Sequence, residues 1–368
     1  MRLPRRSVVS ARVMFEGFSG WDSARPALAR GPSPDSEGLR SAYLELLKLA
    51  LCDLVGSSTA SVGKDPEGRV ASRELAGEEL RMRAAGMDWP LQGLTMVGLN
   101  RLDDLQECVE SVIRDGVEGD LIEAGAWRGG ASILIRATLD TLGADDRTVW
   151  VADSFQGFPK ADEQEGLNQV DFLAVPQYEV EASFARLGLG RGVHFLPGFF
   201  EDPLAGLQDR RWALVRLDGD TYEATWVTLQ ALYPGLAVGG HLIVDDYGAL
   251  DECRRAVDDF REHHDIREPL EEVDWTCRRW RRESDAPLVP VAPRRRGSRT
   301  GAPAPVPVER GTTLRVPSER ELDLAREADA LRERLAVAEA ELARLRSSPL
   351  AGPRAWLGQA ARTMAGRR

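Results

Sequence analysis

Between residues 119 and 263, short apolar runs that end in acids or glycines alternate with amphipathic helical stretches. Few architectures can accommodate that pattern. The runs are GDLIEAGAW (119–127), TVWVADSF (148–155), VHFLPGFF (193–200), WALVRLDGD (212–220) and GGHLIVDDYG (239–248). Each has the length and apolar content of a buried strand. Helical patterns fill the gaps, over 131–142, 178–187, 221–232 and 252–263. Strands separated by helices predict an α/β fold with a mostly parallel central sheet and right-handed crossovers. Ligands of such sheets collect beyond the carboxyl ends of the strands, where the acids of these runs would lie.

The flanks divide the chain. A helix is expected from Arg40 through SAYLELLKLALCDLVGS, and another over Leu91–Arg114 with Leu102, Leu105, Cys108, Val109 and Val112 as its apolar stripe. Between them, the polar, Gly-rich stretch Ser57–Arg83 reads as a loop or lid. Residues 1–39 lack sustained apolar periodicity and read as a disordered leader. One domain then spans 40–283, with its N-terminal helical part as a cap. Residues 284–317 form a Pro- and Arg-rich linker. In 318–347, Leu324, Ala328, Leu331, Leu335, Ala338, Leu342 and Leu345 mark a seam of about three heptads, the lower bound for a coiled coil. A lone amphipathic helix docking elsewhere fits the same spacing. The basic tail 348–368 carries Trp356 and reads as a frayed terminus or an anionic-surface contact. A homo-oligomer, a glycan-assembly complex and a peripheral membrane contact therefore stay open as partners.

A net charge of -11 disfavours affinity for phosphate backbones, so no nucleic-acid partner is expected. The four cysteines, Cys52, Cys108, Cys253 and Cys277, are widely spaced and form no CxxC or Cys/His pairing. Zinc and a disulfide framework are not suggested. With no long apolar run for a spanning helix and no secretory h-region, a cytoplasmic protein is expected. Lysine is confined to Lys48, Lys64 and Lys160, which leaves few candidates for lysine chemistry.

Two constellations carry chemistry. The first is Glu123-Ala-Gly125-Ala-Trp127-Arg128-Gly129-Gly130-Ala-Ser132, which leaves a strand and opens a helix. Its glycines allow a tight turn and close approach of a ligand. Its spacing is not the GxGxxG of a nicotinamide site. A structural glycine turn is the simpler alternative. Asp153, at the end of the next strand, suits the hydroxyls of a ribose, or else serves as a helix N-cap. The second constellation is Asp218, Asp220, Asp245 and Asp246, at the ends of two consecutive strands. Carboxylates gathered at one edge repel unless a cation neutralises them. Hard oxygen ligands without Cys or His favour Mg²⁺, whereas helix capping explains one acid better than two clusters.

Residues of about 40–283 resemble the macrocin O-methyltransferase family, which methylates sugar hydroxyls on macrolides such as tylosin and mycinamicin. The resemblance is carried by MDWPLQGLTMVGLNRLDDLQECVESVIRDGVEGDLIEAGAWRGGAS, VWVADSFQGFP, VRLDGDTYEAT, LYPGLAVGGHLIVDDYGAL and VDWTCRRWRR. It implies a Rossmann-like methyltransferase fold, S-adenosylmethionine as donor and Mg²⁺ as cofactor. It places Glu123, Gly125, Arg128, Gly129, Gly130 and Ser132 around the methionine part of the donor. Asp153, Ser154 and Phe155 would hold the ribose and adenine side, with Glu201 and Asp202 near the adenine. Asp218, Asp245 and Asp246 would hold the metal.

The expected reaction is Mg²⁺-dependent methyl transfer to a sugar hydroxyl of a glycan or a glycosylated natural product. The alternatives are a macrolide deoxysugar enzyme, a nicotinamide oxidoreductase on the same sheet, and a non-catalytic scaffold with a methyltransferase-like domain. A metal on the acceptor oxygen stabilises the alkoxide, most effectively through a vicinal diol. Asp218 is the leading candidate for the base, with Asp220, Tyr222 and His241 behind it. Arg278–Arg279 and Arg281–Arg282 read as a solvated strand face or an anion site.

Overall fold

The structure, a computed structural model, describes residues 36–64, 70–158, 171–285 and 288. The expected leader, linker, heptad helix and basic tail lie outside the described residues, apart from residues 36–39 of the leader and Ser284, Asp285 and Leu288 of the linker.

The apolar runs of the sequence become one sheet. Strands β4 (Asp120–Ala124), β5 (Val149–Asp153), β6 (Val193–Pro197), β7 (Trp212–Leu217) and β8 (Leu236–Val244) are parallel. Two antiparallel strands, β9 (Glu271–Glu272) and β10 (Arg278–Arg281), complete the order β6-β5-β4-β7-β8-β10-β9. The α/β, mostly parallel expectation holds. Helices cover both faces, so alternate strand residues enter two cores. Leu121, Val149, Val151, Leu214 and Ile243 join α1 (Ser36–Leu51), α3 (Gly98–Arg114), α4 (Gly130–Thr141) and α5 (Gln177–Arg186). Ile122, Trp150, Ala152, Val215, Leu242 and Val244 join α6 (Tyr222–Leu232) and α7 (Asp251–His263). A strand covered on both faces has no polar side to show, which is why these runs read as continuous apolar stretches. The chain passes from β6 at one side to β7 beside β4, so the strand order reverses between β4 and β7. A crevice opens beyond their carboxyl ends.

The segment Ser57–Arg83 is not a loop. It contains a hairpin of β1 (Ala60–Lys64) and β2 (Val70–Glu74), then α2 (Glu79–Ala84), and β1 also pairs with β3 (Trp89–Pro90). One polar residue of this segment anchors it to its neighbours. Arg83 is 1% exposed and donates to Asp88 at 2.7 and 2.8 Å, to Thr59 at 2.7 Å and to the carbonyls of Ala60 and Cys52. The helix expected from Leu91 begins only at Gly98. The residues before it bind back, Leu94 N–H to Leu51 O and Gly130 N–H to Leu94 O.

The arginines of β10 and its end are neither a solvated face nor an anion site. Arg282 is buried and donates to the carbonyls of Tyr233, Pro234 and Leu236, while Arg281 pairs with Asp115 and Arg279 with Asp104 and Glu271. Arg278 pairs with Glu272. They fasten the antiparallel edge to α3 and to the loop before β8.

His241 lies within β8, opposite Leu214, and is buried. Arg279 can only donate, so its 3.4 Å contact makes Nδ1 of His241 an acceptor, and Nε2–H donates to Ser111 Oγ at 2.8 Å. Ser111 then donates to Cys108 O. Burial first, then the charges of Arg279 and Arg281, push the imidazole down to about 4, against a smaller upward pull from Asp115. The unfolded chain therefore takes up a proton near pH 6.5 that the native state refuses until about 4. Stability contributed by the neutral ring is present above that window and is lost as pH falls through it. Urea midpoints from pH 7 to 4 should fall less steeply for His241→Gln than for the wild type. The difference in stability is expected to reach up to about 3 kcal/mol. Parallel profiles would mean that His241 is not the group being titrated.

Candidate active site

The crevice is a cavity of about 460 Å³. Its walls come from the ends of β4, β5, β7 and β8, from residues 86–89 and 95–97 of the cap, and from Trp275 and Thr276. Of the expected site residues, Glu123, Gly125, Asp153, Ser154, Glu201, Asp218, Asp245 and Asp246 line it. Arg128, Gly129, Gly130, Ser132, Phe155 and Asp202 do not.

The glycine turn is held from both sides. Gly125 has φ +95°, and a Cβ there would lie 1.9 Å from the carbonyl oxygen of Asp218. Only glycine lets the two constellations approach this closely. Asp153 Oδ2 accepts from the N–H groups of Ala126 (2.8 Å) and Trp127 (3.0 Å), and Oδ1 accepts from Phe155 N–H at 2.8 Å. Burial raises the Asp153 carboxyl, and these three backbone donors pull against that. Asp153 thus fastens the turn as well as facing the cavity. Phe155, at φ +54°, turns its ring into the core beside Phe195, so only its backbone serves the site. Arg128 points away from the cavity, donating to the carbonyls of Pro90, Leu91 and Gly93, with its guanidinium over the rings of Trp127 and Phe172. Gly129, at φ +82°, precedes α4, and a Cβ on Gly130 would lie 2.5 Å from Leu94 O. Ser132 donates to Glu123.

Glu123 is 1% exposed. Its counter-ion is Arg216, itself 2% exposed, next to the carboxyl end of an otherwise apolar strand. Its guanidinium donates to Glu123 at 2.7 Å, Asp218 at 3.1 Å and Asp245 at 2.5 Å. Arg101 takes the other oxygen of Asp245 at 2.5 Å and pairs with Asp274 at 3.1 Å. Burial pushes Glu123 up to about 7 despite Arg216 and Ser132. Burial also pushes Asp245 up, but Arg101 and Arg216 together outweigh it and hold the carboxyl below its usual range.

Asp245 is expected on the metal, but both of its oxygens are committed to arginines. The carboxylates that converge are Asp218, Asp220 and Asp246, with ligand atoms all within 4.8 Å of one another. Asp220 is placed by a tight turn, with φ +55° and Thr221 N–H bonded to Gly219 O, and Thr221 caps α6 through Ala224 N–H. Oδ2 of Asp246 is buried without a hydrogen-bond partner. Burial and the neighbouring Asp218, Asp220 and Asp245 push Asp246 well up, while burial, Asp218 and Asp245 push Asp220 up to about 7. Burial and Asp245 also raise Asp218, against Arg216. Two arginines thus face six carboxylates: Glu123, Asp218, Asp220, Asp245, Asp246 and Asp274. The cluster is short of positive charge at the three aspartates, and oxygen ligands in that number suit Mg²⁺. The other base candidates lie elsewhere. Tyr222 donates to Asp259 at 2.8 Å on α7, and His241 sits in the core.

Sequence reasoning assigns no role to Arg216 or Arg101. Both are visible as charges on buried faces, one within WALVRL and one on the stripe of α3. Trp275 carries no comparable signal.

Known proteins resemble this chain over the same residues that form the crevice. The family model described as Macrocin-O-methyltransferase (TylF) matches residues 42–282. The chain is 44% identical, over 67% of its length and 94% of the relative, to the 8-demethyl-8-(2,3-dimethoxy-alpha-L-rhamnosyl)-tetracenomycin-C 4'-O-methyltransferase of Streptomyces olivaceus. It is 39% identical, over 66% and 96%, to the Mycinamicin III 3''-O-methyltransferase of Micromonospora griseorubida. Among solved structures, the O-methyltransferase NovP aligns with a TM-score of 0.59 and 39% identity, over 67% of this chain and 100% of that one. A family match over residues 42–282 and relatives at 44% and 39% identity have one reading. The chain belongs to the macrocin-O-methyltransferase (TylF) family and is an S-adenosylmethionine-dependent O-methyltransferase.

Proposed function

We propose that the protein transfers the methyl group of S-adenosylmethionine to a sugar hydroxyl of a glycosylated natural product, with Mg²⁺ held by Asp218, Asp220 and Asp246. The observation that carries this reading is the convergence of those three carboxylates at 4.8 Å or less, in the cavity that the glycine turn also lines. Two relatives, a rhamnosyl-tetracenomycin enzyme and a mycinamicin enzyme, support a glycoside as acceptor.

Glu123, the turn 125–127, Asp153, Ser154 and Glu201 form the donor side. Backbone groups of the turn, steadied by Asp153, set where the donor lies. The acceptor hydroxyl meets the donor above the aspartates. Its oxygen bonds to the methyl carbon as the carbon–sulfur bond breaks, and its proton passes to a carboxylate. Asp220 is better placed for that proton than Asp218, because Asp218 already accepts from Arg216 and is the weaker base for it. When bound, Mg²⁺ would lower the pKa of the hydroxyl, most effectively on a sugar with a neighbouring free hydroxyl.

Exhaustive chelation should lower turnover at least about a hundredfold, and Mg²⁺ should restore it, since such a metal supplies several kcal/mol at the transition state. S-adenosylhomocysteine binding, measured by calorimetry, should change only a few-fold, because neither the turn nor Asp153 is among the three carboxylates that would hold the metal. Undiminished turnover after chelation would remove the metal from this reading.

A further inference from the structure

A cavity of about 460 Å³ is within the roughly 300–1,000 Å³ that one drug-sized ligand fills. A donor and a sugar ring over the aspartates would take that space, so the remainder of a large acceptor must lie at its mouth. The mouth is built on the cap side. Among the described residues, Met87 and Trp275 are the exposed large apolar side chains that line the cavity, at 51% and 46% exposure. They come from segments distant in sequence, and the fold ties those segments together. Trp275 Nε1 donates to Ala85 O at 3.1 Å, and Arg101 donates to Gly86 O at 2.9 Å. A Cβ on Gly86 would lie 2.3 Å from Val97 O, so backbone packs on backbone behind the rim. The guanidinium of Arg101 sits 5.9 Å from the Trp275 ring and is committed to Asp245 and Asp274. The rim therefore presents an aromatic plane and a thioether, with the nearby charge already paired.

Taking the protein as a glycoside O-methyltransferase, we propose that Met87 and Trp275 form the subsite for an apolar aglycone. The ring system of the aglycone rests on the indole, Met87 adapts to its edge, and the sugar reaches inward to Asp218, Asp220 and Asp246. Apolar side chains that line a cleft and reach its mouth supply contact area for a bound ligand, and a rigid aromatic with an adaptable thioether suits a flat apolar partner. A hydrophilic glycan chain would gain little there. The chemistry selected is thus the attached aglycone, in addition to the sugar.

The test uses two acceptors with the same sugar, 1-naphthyl α-L-rhamnoside and methyl α-L-rhamnoside. Binding to the full chain loaded with S-adenosylhomocysteine and Mg²⁺ is measured by calorimetry, alongside methyl transfer. The wild type should prefer the naphthyl glycoside. Trp275→Ala should cut that preference about tenfold, as expected for truncating one aromatic anchor, and Met87→Ala should cut it less. Trp275→Phe keeps a ring but loses the bond to Ala85, and should retain most of the preference. Equal weakening of both ligands by Trp275→Ala would mean that Trp275 only fastens the cap. Equal wild-type affinity for both would overturn the subsite outright. A Trp275-dependent preference in binding without any methyl transfer would leave the subsite standing and overturn the glycoside reaction instead.

Discussion

Asp220→Asn should lower methyl transfer by about 100- to 10,000-fold, the range for loss of a positioned proton acceptor. The fold should survive, because an amide fits where the carboxylate stood and removes one like charge from a crowded edge. The φ of +55° at this position is one that asparagine tolerates nearly as well as aspartate. Binding of S-adenosylhomocysteine should stay within a few-fold of the wild type, since Asp220 is not part of the proposed donor side at Glu123, the turn 125–127, Asp153, Ser154 and Glu201. Single-turnover rates with donor saturating separate the chemical step from binding. Asp218→Asn provides the contrast. It should also impair turnover, but it additionally frees a guanidinium bond of Arg216, so donor affinity should shift with it. If Asp220→Asn keeps more than about a tenth of wild-type turnover while Asp218→Asn is inactive, the proton goes to Asp218, as the sequence alone suggests.

Arg216→Met should be the most destabilising single change at the site. The guanidinium is 2% exposed and serves three carboxylates, so its removal leaves buried negative charge uncompensated. Breaking a buried ion pair by deleting one partner typically costs about 3–5 kcal/mol. The lower end is expected here. Glu123 already sits at about 7 and can take a proton once Arg216 is gone, whereas Asp245 keeps Arg101. For a domain of this size the melting temperature should fall by roughly 10 °C. Adding Glu123→Gln to Arg216→Met should recover part of the loss, since it removes one of the orphaned acids. A double variant no more stable than the single one would show that the damage comes from Asp218 and Asp245 alone. A melting temperature unchanged in Arg216→Met would contradict the buried network altogether.

Much of this architecture is written locally. Strands such as VWVA and the LIV of β8 are apolar on both faces because helices cover both, and their alternation with helices leaves few topologies. The glycine turn is legible because Gly125 and Gly129 occupy backbone conformations that other residues resist. The acids at strand ends are legible for the same reason: the end of a buried strand is where polar side chains must begin. The sheet, the glycine-turn side of the crevice and the presence of an acidic edge therefore come from the order of residues.

Which acids meet at that edge does not. Asp245 and Asp246 are neighbours in the chain, yet one is held by Arg101 and Arg216 and the other carries a buried, unpartnered oxygen. Adjacent residues at a strand end point in different directions, and the partners that decide their charge come from α3 and β7, far away in sequence. The cap is the same case. Its polar residues suggest a loop, and only Arg83, buried among carbonyls and carboxylates of other segments, shows why they fold into a small sheet. Trp275 reaches the rim because β10 returns antiparallel beside β8 and carries the preceding turn to the cavity. The order of residues decides what each segment can bury and where it must turn. The tertiary structure alone assigns counter-ions, because an ion pair depends on distances that the chain's own order leaves open.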